Sequence, residues 1–145
     1  MLEEIKLNIF KTHKPDEKIG LFLTLLDEKN TILTSSGVME TDKPLQELIT
    51  ILYNGIVQKH PSCKHIVAEV PSTLTLQKDA EQLLNLSVTE YGICLVSPET
   101  QKSGVLLPWT PGVVDMKNAL NLVQKKFGIS GNVQIYTFTT EKISI

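Results

Sequence analysis

At 145 residues the chain has the length of one ordinary domain, enough to bury about 70% of its unfolded surface. Hydrophobic residues make up 41% and charged residues 21%, which excludes a disordered chain. The net charge of −2, with no dense cationic cluster, gives no electrostatic basis for binding nucleic acid.

No run of about 18 apolar residues exists to span a membrane. The start, MLEEIKLNIF, is acidic and lacks the basic region and apolar core of a secretory signal. Cys63 and Cys94 are expected as free thiols in a reducing compartment, so the expected location is cytoplasmic.

Leu2, Ile5 and Ile9 fall near helical spacing, with Glu3 and Glu4 in a favourable first turn, and predict a short N-terminal helix. Two strands follow a polar connector at 13–18. GLFLTLL at 20–26 and TILTSSGV at 31–38 flank the polar loop 27–30 and predict a hairpin. The next element is a helix, with Asp42 as its expected cap, Pro44 in its first turn, and Leu45, Leu48, Ile49, Leu52 and Ile56 along one face. It is expected to end near His60-Pro61.

From Lys64 the pattern alternates, with Ile66, Ala68 and Val70 on one side and Val67 and Glu69 on the other. Pro71 marks that strand as an edge or a bulge. Residues 77–86 fit either a short helix or a turn. A second hairpin is predicted from YGICLVS at 91–97 and GVLLP at 104–108. A final helix, capped by Asp115 and stopped by Gly128, precedes a last strand at 133–139 and an exposed tail around Glu141-Lys142. The expected architecture is a single α+β domain spanning 1–145. It would hold a mainly antiparallel sheet of about six strands, two main helices and the short N-terminal helix.

Few residues point to chemistry. His60, Cys63 and His65 are the right ligand types for zinc, but they need a fourth from elsewhere, so no metal site is expected. No cofactor motif is present. Cys94 lies among apolar strand residues and reads as an inert thiol. Thr34, Ser35, Ser36 and Gly37 read as hydroxyl-rich strand end and turn chemistry, able to offer hydrogen bonds. Trp109, between Pro108 and Pro111, is either an anchor for a partner or a lid over the core.

On these residues the chain resembles the AMME syndrome candidate-region family, whose prokaryotic members are protein A of the AmmeMemoRadiSam system. Gly20-Leu21-Phe22-Leu23-Thr24-Leu25 is similar to the family strand "hydrophobic-F-V-T-L". His65 to Thr75 (HIVAEVPSTLT) is similar to "I-x-V-E-V-S-x-L-T", and Gly104 to Pro111 echoes "G-L-L-L-P-x-V-A". Lys126-Phe127-Gly128-Ile129 resembles the helix end "K-A-G-L", and Ile135-Tyr136-Thr137-Phe138 the closing "x-Y-x-F". The family loop LRGCIG is replaced by Ile32 to Val38, without its arginine or cysteine, and "D-P-R-F" is replaced by Lys59-His60-Pro61-Ser62.

The resemblance implies a non-catalytic binding or accessory component of a modification system. Its implied partners are a Memo-type protein and a radical SAM protein. The expected binding surface is a groove where Thr34 to Gly37 and Leu107, Pro108, Trp109 and Pro111 converge. Two alternatives stand beside it. One is a small hydrolase or transferase using Ser35 or Ser36, with His60 or His65 as base. The other is a structural remnant that homodimerises through the strand edge near Pro71.

Overall fold

A computed structural model describes residues 1–145. The protein is α+β with antiparallel strand pairing and a short N-terminal helix. Its eight strands are shared between two four-stranded sheets, in two compact units. The first unit comprises Met1–Pro71 with Glu141–Ile145, and the second comprises Ser72–Thr140.

In the first unit, helix α1 (Leu2–Ile9) precedes the hairpin β1 (Leu21–Leu26) and β2 (Ile32–Val38). The hairpin turn is built by Asp27, whose carboxylate accepts from the Lys29 and Thr31 N–H groups at 2.8 and 2.9 Å. Helix α2 (Leu45–Ile56) and one 3₁₀ turn (Val57–Lys59) lead to β3 (His65–Pro71). Strand β1 pairs antiparallel with both β2 and β3. Leu21, Leu23 and Leu25 of β1 lie in one buried cluster with Ile5 and Ile9 of α1, Leu45, Leu48, Ile49 and Leu52 of α2, and Ile66, Ala68 and Val70 of β3. The period of 2 in the strands and of 3.6 in the helices thus meet in a single apolar layer.

Three expectations change here. The cap of α2 is Pro44, with no side-chain bond, and not Asp42. Backbone carbonyls of the 13–18 connector do that work: Glu17 O accepts from Leu45 N–H at 2.8 Å and Pro15 O from Gln46 N–H at 3.0 Å. Glu69, set with Val67 on the side of β3 away from Ile66, Ala68 and Val70, is buried as they are and only 5% exposed. Strand β3 is not an edge, because the tail forms β8 (Thr140–Ser144) and the sheet order is β2-β1-β3-β8. Pro71 sits at the last residue of β3, and the edge offered for a homodimer is filled within the chain.

In the second unit, the two-residue β4 (Thr75–Leu76) precedes helix α3 (Ala80–Leu84). The hairpin β5 (Gly92–Val96) and β6 (Ser103–Leu106), helix α4 (Met116–Phe127) and β7 (Gln134–Phe138) complete it in the sheet order β4-β7-β5-β6. The expected caps of α4 are present. Asp115 accepts from Asn118 N–H at 2.8 Å, and Gly128 closes the helix with φ 63°. Met116, Ala119 and Val123 of α4 bury against Ile93 and Leu95 of β5, together with Leu83 of α3. No helix is long and apolar enough to cross a membrane.

Candidate functional site

The proline loop carries the most exposed aromatic surface of the chain. Pro108 is buried while Trp109, directly after it, is 64% exposed. Trp109 holds φ at +62°, a left-handed conformation unusual for a bulky residue. Two bonds fix it. The Trp109 N–H donates to Val88 O at 3.1 Å, and the Thr110 hydroxyl donates to Leu107 O at 2.6 Å. Pro111 and Val114 are exposed further along, Val114 by 79%. The loop is therefore braced by hydrogen bonds while it presents apolar side chains to solvent.

Thr34 to Gly37 prove to be the interior of β2 and not a loop. Side chains alternate along a strand, so the four residues divide between two faces. Thr34 and Ser36 stand opposite Leu25 and Leu23, and Ser35 and Gly37 stand opposite Thr24 and Phe22. The Ser35 hydroxyl lies 2.9 Å from the Thr24 hydroxyl. Gly37 has a packing reason: a Cβ there would lie 2.2 Å from Leu21 O and 2.6 Å from Phe22 Cα. One face of β2 therefore presents at most two of these four side chains. Thr34 to Gly37 also belong to the first unit and Leu107 to Pro111 to the second.

Of the two histidines offered as base for Ser35 or Ser36, His65 is set apart from Ser35 in the sheet. His65 is paired with Leu26, two residues along and two strands across from Ser35, which is about 12 Å between backbones by ordinary sheet spacings. Cys63 is buried and donates to His65 O at 3.4 Å, and nowhere do three or more His, Cys, Asp or Glu residues gather as metal ligands.

Two further clusters were not visible in the sequence. In the first unit, His13 is bracketed by carboxylates, with Nδ1 3.2 Å from Glu17 Oε2 and Nε2 2.9 Å from Glu141 Oε2. Burial pulls the His13 pKa down, but the hydrogen bonds and charges of Glu141 and Glu17 outweigh it and hold the imidazole above its ordinary value. The Lys14 backbone N–H and His13 hold Glu17 below the usual carboxylate value. Nothing in the sequence signals a contact between residues so far apart.

In the second unit a cavity of about 500 Å³ opens between the β4–β7 edge, Tyr91 and the end of α3. It is lined by Thr75 and Thr137, paired across β4 and β7, with Gln77 donating from Nε2 to the Thr137 hydroxyl at 2.8 Å. Gln82, Asn85 and Leu86 complete its lining with Tyr91. The segment 77–86 was ambiguous by periodicity because α3 is only five residues long.

The chain matches no protein-family model and no curated protein sequence. Its fold is similar to the crystal structure of an uncharacterised protein from Pyrococcus horikoshii, with a TM-score of 0.74 and 19% identity. The alignment covers 99% of this chain and 87% of that one. At this identity the likeness concerns the fold alone.

Proposed function

We propose that the protein is a non-catalytic binding or accessory component of a modification system, working beside a Memo-type protein and a radical SAM protein. The observation that carries this reading is Trp109, which is held at φ +62° and 64% exposed on a loop braced by Val88 O and Leu107 O. A strained backbone that displays a large amphipathic ring to water suits recognition of another protein. The ordered resemblance from Gly20 to Phe138 supports the choice of partners.

The test is affinity purification from the native host, with mass spectrometry of what is recovered. Stoichiometric recovery of a Memo-type or radical SAM protein with the wild type, and its loss with Trp109→Ala, is the expected result. Recovery of the protein alone overturns the reading.

A further inference from the structure

The cavity of the second unit has a chemical character of its own. It is of ligand size, about 500 Å³, and none of the side chains lining it is charged. Gln77 is held in place by its bond to Thr137, which uses one N–H of its amide and leaves the carbonyl oxygen able to accept. On the same lining, the side-chain amides of Gln82 and Asn85 make no hydrogen bond within the protein, and each offers both a donor and an acceptor. Tyr91 adds a ring face and a hydroxyl, and Leu86 an apolar patch.

An anion or a cation would find no counter-charge among the lining residues, and a purely apolar ligand would displace water from the Gln82 and Asn85 amides without replacing its hydrogen bonds. The complementary group is one that donates and accepts side by side in a plane and carries no net charge. We infer that this cavity binds an uncharged planar amide, held by Gln77, Gln82 and Asn85 and stacked against Tyr91. Two sources share that chemistry: a carboxamide side chain, and the lactam edge of a heterocyclic base. The inference is independent of the partner reading, because Trp109 is not among the lining residues.

Titration of ¹⁵N-labelled protein followed by NMR separates the cases. The probes are N-acetylglutaminamide for the carboxamide, uracil for the lactam, and benzoate as a charged planar control. One neutral probe should shift the side-chain amide signals of Gln82 and Asn85 with millimolar affinity, and benzoate should not. Which neutral probe does so identifies the source. The double variant Gln82→Ala, Asn85→Ala alters two exposed positions and should weaken binding about tenfold, with the remaining backbone spectrum unchanged. Trp109→Ala should leave this binding intact. The inference fails if neither neutral probe shifts those signals at millimolar concentration, if benzoate shifts them equally, or if the double variant binds as wild type does.

Discussion

The His13 imidazole Nε2 lies 2.9 Å from the Glu141 carboxylate, joining residues 128 apart in sequence. With Glu17 on the other ring nitrogen, this clasp ties the tail strand β8 to the connector that caps α2. Its strength depends on protonation. The folded pKa of His13 is raised above 6.5, so its contribution is complete below 6.5 and is lost as pH rises through the folded value. The folded pKa of Glu17 is lowered below 4.5, so its contribution is present above 4.5 and is lost as pH falls through the folded value. The stabilising effect of the clasp is therefore greatest between those limits. Urea midpoints of wild type and His13→Gln should differ most in that window and converge at alkaline pH. A constant difference at every pH would contradict the assignment.

Deleting residues 141–145 should destabilise the first unit by about 2–4 kcal/mol. It removes the partly buried Ile143 and Ile145, and with them the bond from Ile145 N–H to Ile66 O at 3.0 Å. It also bares an edge of β3, an invitation to pair with another chain. Denaturant unfolding reads the first effect. Light scattering reads the second as a mass that rises with concentration, where the intact chain shows less.

Gly37→Ala should lower stability by more than about 2 kcal/mol, because the atoms its methyl would meet at 2.2 and 2.6 Å are backbone and cannot swing aside. Ser35→Ala, whose hydroxyl meets only that of Thr24, should cost about 1 kcal/mol. If Gly37 acted instead as part of a ligand cradle, Gly37→Ala would leave the unfolding midpoint unchanged.

Trp109→Gly separates stability from recognition. Relief of the left-handed backbone, about 1 kcal/mol, offsets the extra unfolded-state freedom of glycine, which is of similar size. The unfolding midpoint should stay near wild type while partner recovery is lost. A marked fall in the midpoint would mean that the ring contributes to the core, as a lid would.

The parts of the fold that were legible in the sequence are those set by local chemistry. Asp115 and Gly128 bracket α4 because an N-cap carboxylate and a left-handed C-cap each act within a few residues. Both hairpins follow from apolar strands around polar turns. The misread features depend on distant chain. Pro15 and Glu17 displace Asp42 as caps of α2, and β8 converts β3 from an edge into an interior strand. Thr34 to Gly37 look like a turn by composition, yet pairing with β1 holds them extended. Of the candidate sites, Trp109 stood out by residue type. The amide cavity did not, since Thr75, Gln82, Tyr91 and Thr137 share no motif and meet only through strand pairing and a short helix.

The place of β8 in the first sheet also sets a timetable for synthesis. Residues 1–71 leave the ribosome first, but the strand that completes their sheet follows only after residues 72–140 have been made. At about 5–20 residues per second, those 69 intervening residues take roughly 3 to 14 s. Throughout that interval the nascent first unit carries an unpaired β3 edge, with His13 still lacking its Glu141 partner. The first sheet can therefore be completed no sooner than translation of residues 72–140 allows.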